Sequence, residues 1–342
     1  MLSIDDITPY LLYQFASESE QIKCISTISH NFTSNRDAID DYTKSEKLVS
    51  AYALLYFLTN YPKLEASLKK VGLSLSELED CEFFDIGHGP GTYLYSLSIL
   101  FPKSNIFGIE KSDLMVSQAK KLLNGLCPNH RVHFIKDLSL MPKKSQKRFG
   151  VFGHSANEMS VDEVLKLIDK LELDNILFLE PGTSQFFHQK ALTLRESLLK
   201  NSFSINYPCQ SQMACPMSSS DDWCHQYLFL SHHPSVERLC QKLGKNRRLL
   251  PQTIHYYSKE GRAKNVGAIV IQRLGDNKAS FRWKVCGADN KNFEIEVLKR
   301  GYNKKNLKRL DQMTLGDNVE FEIVKKIRDD LFRVNLLGDK IV

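Results

Sequence analysis

Residues 81–92 read CEFFDIGHGPGT. A short apolar run, CEFFDI (81–86), passes directly into glycines at 87, 89 and 91. The run has strand character. Glycines at its end allow a tight turn and let a ligand approach the backbone closely. Asp85 stands two residues before Gly87. No Lys-Ser/Thr follows the last glycine, so the turn is not a phosphate-cradling P-loop. A carboxylate at 85 would also repel a pyrophosphate. It suits a ligand with a cationic aminoacyl end.

Strands and helices alternate downstream. NIFGIE (105–110) reads as a second strand, and Glu110 at its end can accept hydrogen bonds from both hydroxyls of a ribose. Ser112 can cap a helix that carries Leu114, Met115, Ala119, Leu122 and Leu123. VHFIKD (132–137) is a third strand, and Asp137 at its end can reach an adenine amino group. FGVFGHS (149–155) is a fourth. SVDE (160–163) has capping-box form and opens a helix with Val164, Leu165, Leu167, Ile168 and Leu171. NILFLEPG (175–182) is a fifth strand. This alternation predicts a parallel sheet with helices on both faces. With Asp85, the glycines and the two acids, it looks like the Rossmann-like, seven-strand S-adenosylmethionine-dependent methyltransferase fold, in the α/β class. An NAD-type site is the alternative, and the positions of the acid and the glycines count against it. The expected cofactor residues are Asp85, Gly87, Gly89, Gly91, Glu110, Asp137 and Asn157. His88 reads as loop filler.

The fourth strand ends in GHSANEMS (153–160). It lacks the Asn/Asp-Pro-Pro-aromatic sequence of enzymes that methylate exocyclic amino groups. Asn157 and Glu158 either line the pocket or simply end the strand. Upstream, TKSEKLVSAYALLYFL (43–58) has helical spacing, Pro62 is expected to end or interrupt that helix, and 63–79 reads as a second helical stretch. Residues 184–200 form another helix. Periodicity then fades over 201–265, and strand-like runs return at 266–274, 281–287, 293–300, 318–324 and 331–337. The expected organisation is an N-terminal helical region (1–80) and a methyltransferase core (81–200). A Cys-rich metal-binding insert with the last core strands (201–290) and a small β unit (291–342), a partly closed barrel, complete it.

Of the 342 residues, 42% are hydrophobic and 25% charged, an ordinary globular balance. No apolar run is long enough to span a membrane. The first twenty residues are acidic and lack Arg, so they read as neither a signal nor a transit peptide, and the expected compartment is the cytoplasm. The net charge of +6 is uneven. Residues 241–310 hold 18 Lys+Arg against 5 Asp+Glu, a surplus of 13 that leaves the remainder at −7. Such a segment suits a polyanion, most simply RNA, and argues against a small-molecule methyltransferase.

Eight cysteines are present. Cys24, Cys81 and Cys127 read as small buried hydrophobes. Cys209, Cys215 and Cys224 crowd into YPCQSQMACPMSSSDDWCH (207–225), and with Cys286 they give the spacing C-x5-C-x8-C-x61-C. Four thiolates suit tetrahedral zinc or an iron–sulfur cluster. The absence of a close C-x2-C pair favours the larger [4Fe–4S] cluster, with zinc as the alternative. Cys240, in VERLCQKLG, is the rival fourth ligand, although its neighbours suggest a packed core position.

The combination of LEPGT (179–183), YPC…ACP…WCH (207–225), a strand ending at Cys286 and VLKRGYNKK…LGD (297–317) resembles the methyltransferase-like family of small-ribosomal-subunit assembly factors of mitochondria and bacteria. The resemblance implies a methyltransferase domain with an inserted [4Fe–4S] site, its ligands at Cys209, Cys215, Cys224 and Cys286. It also implies association with the small ribosomal subunit and its rRNA during assembly; separately, the chain is expected to be a monomer with no membrane partner. Methyl transfer is presumed for the family from its fold. The chain departs from the expected Arg-rich character over 226–262, carrying HHPSVERLCQKLGKNRR (232–248) there.

Overall fold

A computed structural model describes residues 1–34, 42–209, 212, 214–219, 223–245, 249–261, 268–287, 291–313 and 317–337. Arg247, Arg248, Arg262 and Lys264 of the basic segment lie outside the described residues, as do Leu315 and Gly316 of the LGD motif. The chain divides into two compact units.

The first unit comprises Met1–Met159, Lys166–Leu179 and Leu228–Leu250. Its strands are β1 (Cys81–Ile86), β2 (Ile106–Ile109), β3 (Val132–Ile135), β4 (Lys147–Gly153) and β5 (Asn175–Pro181). They lie in the order β3-β2-β1-β4-β5, and every pair is parallel. β1 is buried along its whole length, which is why it reads as an unbroken apolar run rather than an alternating one. Asp85 sits level with Gly108 of β2 and Val151 of β4. At the opposite end, the buried Arg148 donates from Nε to Glu82 at 3.1 Å and from a terminal nitrogen to the Leu171 carbonyl at 3.1 Å. Such a pair tolerates burial because its polar atoms are satisfied.

The N-terminal helices differ from expectation. Pro62 does not end a helix: it lies inside Leu58–Lys70. The irregularity falls earlier, as a π-helical segment at Ala53–Phe57 between Glu46–Tyr52 and Leu58–Lys70. Burial of Leu54, Leu55, Phe57, Leu58 and Leu64 outweighs the one backbone hydrogen bond that proline removes. The same core takes in Val236, Leu239 and Cys240 from the helix Pro234–Lys242. Ser112 caps Asp113–Leu126 as its sequence predicts, and Ser160 and Glu163 complete both halves of the expected capping box.

The second unit comprises Ser160–Leu165, Glu180–Tyr227 and Pro251–Val342. Here β6 (Ser204–Tyr207) runs antiparallel to β8 (Leu249–Ser258), and β7 (Gln226–Phe229) also pairs with β8. These strands lie in the stretch where periodicity fades, because they are short and interrupted by the Cys-rich loop. Five parallel strands and the antiparallel β6–β8 pair match the strand complement of the seven-strand fold, and β7, paired with β8, is an eighth strand.

The remaining strands are β9 (Ala268–Asp276), β10 (Ser280–Gly287), β11 (Asn292–Leu298), β12 (Asn318–Val319), β13 (Phe321–Arg328) and β14 (Leu331–Leu336). Their order is β12-β9-β10-β11-β14-β13. Only Glu320 separates β12 from β13, so the chain itself joins the two ends of this sheet into a ring. Phe281, Trp283, Val285, Ile295, Val297 and Val334 fill its interior, and Leu310 and Met313 are buried with them. The boundary expected at residue 290 falls within this sheet, because β10 and β11 pair antiparallel across it. Residues 268–287 are therefore part of the small β unit rather than last strands of the core. A strand's sequence does not say which of two sheets it joins.

Candidate functional site

The glycine turn lies between β1 and the helix Thr92–Leu100. Gly87, Gly89 and Gly91 have left-handed backbone, with φ of +70°, +53° and +88°, a conformation strained for any side chain. Their surroundings differ. A Cβ on Gly87 would stand 2.6 Å from Ser155 Cβ, and one on Gly91 3.0 Å from Ala119 Cβ. A Cβ on Gly89 meets nothing within 4 Å. The open space is thus in the middle of the turn.

Asp85 is fully buried, and neither of its carboxylate oxygens meets hydrogen-bond geometry with any group. Burial pushes its carboxyl well above the usual range, and the neighbouring Glu110 charge adds to that, while the Leu94 N–H opposes it only in part. A buried acid in this condition is costly until a cation or donor meets it. Glu110 is half-buried. Its Oε2 accepts from Gly89 N at 3.0 Å and its Oε1 from Ser112 N at 2.9 Å. Two donors leave acceptor capacity on a carboxylate with about four lone-pair sites, as ribose hydroxyls require.

Asp137 is exposed, and its Oδ1 accepts from Ser139 N at 2.8 Å, which holds its carboxyl below the usual range. Asn157 is half-buried within the single 3-10 turn Ala156–Glu158 that follows β4. His88 behaves as packing. Its ring is buried, meets Phe134 edge-on at 5.4 Å between centroids, and has its pKa pushed down by burial to about 4.

The end of β4 also holds groups that the sequence does not advertise. His154 has left-handed backbone, φ 62°, and its Nε2 lies 2.9 Å from the buried Lys63 Nζ. Ser155 Oγ donates to the Ile86 carbonyl at 2.5 Å, tying the β4 end to the β1 end. The signal for His154 and Ser155 is their place at a strand end. Lys63 gives no signal, because Pro62 beside it suggests a helix end rather than a buried helical turn.

In the second unit, Cys215 and Cys224 are buried, and Cys209 and Cys286 are half-buried. Burial pushes the Cys224 thiol far up, and charges on Cys209, Cys215 and Cys286 push it further. The four thiols therefore share one neighbourhood. Burial, followed by Cys209, raises Cys215 to about 11. Burial opposes the charge on Arg195. Its pKa is nonetheless raised by Cys209, which also accepts a hydrogen bond from it, and by Cys215. The buried Tyr207 hydroxyl, near Cys224, has no hydrogen-bond partner. Cys240 is elsewhere, packed in the core of the first unit. The expected metal centre is not shown: among the described residues, no group of three or more His, Cys, Asp or Glu is placed to hold a metal ion. None of the eight cysteines is in a disulfide, and Cys127 is half-buried rather than buried.

A parallel α/β sheet with a glycine turn after its first strand, flanked by Asp85 and Glu110, is a Rossmann-like arrangement. The chain belongs to the family described as mitochondrial small ribosomal subunit Rsm22, whose family model matches residues 46–319. An uncharacterized protein, RP028, of Rickettsia prowazekii (strain Madrid E) is 27% identical over 164 residues, which is 45% of this chain and 64% of that relative. The match thus spans less than two thirds of the relative's length. Among solved structures, the magnesium protoporphyrin IX methyltransferase ChlM of Synechocystis PCC 6803, with bound SAM, is 11% identical over 72% of this chain and 100% of its own, at a TM-score of 0.39. The precorrin-6y C5,15-methyltransferase of Geobacter metallireducens GS-15 is 16% identical over 57% of this chain and 87% of its own, at a TM-score of 0.36. The family's description is mitochondrial and gives no support to the expected cytoplasmic location. No helix among the described residues is long and apolar enough to cross a membrane.

Proposed function

We propose that the protein binds S-adenosylmethionine at the glycine turn and acts on the RNA of the small ribosomal subunit during its assembly. The observation that carries the cofactor reading is Asp85: a buried carboxylate with two unsatisfied oxygens, beside a turn open at Gly89. The α-ammonium of S-adenosylmethionine is both cation and donor. Glu110 would take the ribose hydroxyls. Asp137 and Asn157 would bound the adenine side. The bound cofactor supplies an electrophilic methyl group, and the residues described here bind and orient it. Family membership supports the small-subunit partner. Titration calorimetry with S-adenosylmethionine tests the site: no heat with the wild-type chain, or unchanged affinity in Asp85→Asn, sinks the reading.

The four thiols support a second element, a [4Fe–4S] cluster held by Cys209, Cys215, Cys224 and Cys286. Cys209, Cys215 and Cys286 each act on the Cys224 thiol, although among the described residues no group of three or more ligands is placed to hold a metal ion. A cluster spreads its four ligands over four irons. Iron and sulfide assays on anaerobically purified protein, with absorbance near 400 nm, decide between this and a colourless zinc protein.

Catalytic methyl transfer is favoured by one further feature, the Lys63–His154 pair at the end of β4. Transfer of a labelled methyl group to immature small subunits, lost in Gly89→Trp, separates an enzyme from a binding factor.

A further inference from the structure

We propose that residues 268–337 form an oligonucleotide-binding (OB) type barrel that holds a single-stranded RNA backbone at the corner formed by Arg300, Lys304, Lys305 and Lys308. The inference rests on the small-subunit RNA reading above and locates the contact.

The topology comes first. Counting β12 and β13 as one strand broken at Glu320, the chain order is strand, strand, strand, helix, strand, strand. The neighbour order is first, second, third, fifth, fourth and back to first. The third and fifth strands, β11 and β14, are parallel, and the other pairs are antiparallel. The helix Lys304–Asp311 lies between the third and fourth. This is the five-stranded Greek-key barrel of the OB fold, whose second and third strands customarily face an oligonucleotide.

Fold alone does not assign a ligand, so charge must choose the surface. On and beside the customary face the arginines are already matched. Arg282 pairs with Glu294, Arg328 with Glu294 at 2.9 Å, and Arg333 with Glu296 at 2.8 Å. Arg273 is held by Asp311 at 2.9 Å, and Lys299 by Asp276. The start of β11 is taken by the Cys-rich loop, because Asn292 Nδ2 donates to the Pro216 carbonyl at 3.3 Å. Much of the basic segment is thus compensated within the protein.

The corner after β11 is different. Arg300, Lys304, Lys305 and Lys308 are exposed and have no charged partner among the described residues. The helix has no acidic residue in its first turn. Two lysines there face the positive end of the helix dipole, an arrangement that works against stability. Leu307, Leu310 and Met313 anchor the opposite side of the helix in the barrel, which keeps the lysines outward. Four unmatched cations on a fixed corner suit phosphates, and they would grip a backbone without reading bases.

The test uses the full chain and a fluorescein-labelled single-stranded RNA of about 16 nucleotides, the upper site size of an OB barrel. Anisotropy is followed from low to high salt. Lys304→Gln/Lys305→Gln/Lys308→Gln should flatten the dependence of log affinity on log salt by about 2, since each lost phosphate contact removes roughly 0.7 on a single strand. Low-salt affinity should fall at least tenfold. Lys326→Gln, on a lysine already paired with Asp329 at 2.8 Å, should change neither. The triple variant should melt no lower than wild type, which excludes misfolding as the cause. Wild-type binding that the triple variant retains overturns the corner assignment but leaves the RNA partner standing. Failure of the wild-type chain to bind RNA at low salt overturns both. Equal affinity for a duplex of the same length overturns the single-strand assignment.

Discussion

The glycine turn and the thiol neighbourhood are both candidate ligand sites, but they are built differently. The turn is shaped by the backbone. Its three left-handed glycines, the Ser155 clasp on β1 and the two N–H groups on Glu110 fix its geometry within a few residues of chain. The thiols come from the Cys-rich loop and from β10, with 61 residues between Cys224 and Cys286, and meet only because the chain folds back. Burial raises Cys215 and Cys224 and holds them neutral. The turn is therefore preorganised, whereas the thiols would become buried thiolates only on binding the proposed metal. Local geometry can be read from a motif. A site assembled over distance depends on every element between its parts.

The largest expected effect breaks the second half of this comparison. Cys224→Ser removes one of the four thiols of the proposed cluster. It should abolish iron binding and the absorbance near 400 nm, while Cys240→Ser should keep both. Equal iron in the two variants would show that Cys224 is not a ligand.

Asp85→Asn comes next, and affinity and stability should move in opposite directions. S-adenosylmethionine should bind on the order of 100-fold more weakly, as for a lost charged hydrogen bond of about 3 kcal/mol. The ligand-free variant should be more stable at neutral pH by about 1–2 kcal/mol, since a buried carboxylate without a partner is gone. The sign follows from linkage. The folded-state pKa of Asp85 lies above its ordinary value, so its share of stability is complete below the usual carboxylate range and is lost as pH rises through the folded value. Denaturant melts of the two chains should coincide near pH 4 and diverge above it. A wild-type chain that stays the more stable at pH 7 would falsify this account.

The glycines sharpen the first half. Gly87→Ala meets Ser155 at 2.6 Å as well as an unfavourable φ, and should cost about 3 kcal/mol in a urea melt. Gly89→Ala faces open space and should cost only about 1 kcal/mol, yet weaken cofactor binding. If calorimetry finds cofactor binding untouched in Gly89→Ala, the ligand does not approach the turn at its middle.

Much of the first unit was legible because its determinants are local. Five apolar runs, a glycine turn and a helix cap at Ser112 each declare themselves within a dozen residues, and the parallel order follows from their alternation. Lys63 was not legible, because a proline beside it signals a helix end while core burial carries the helix on. The ring of β9–β14 was not legible either. Its closure depends on β12 and β13 pairing with different strands on either side of Glu320, and nothing in five short alternating runs specifies a partner.

The sequence by itself determined the elements of the parallel sheet, the conformation of the turn and the chemical types at both candidate sites, since strand burial, left-handed glycine and thiol chemistry are properties of single residues and near neighbours. Tertiary structure alone decided that Asp85 is left without a partner, that Cys286 rather than Cys240 joins the other thiols, and which cations of the basic segment stay unmatched. Each of those is a relation between groups distant in the chain, and burial and charge compensation exist only once the chain has brought such groups together.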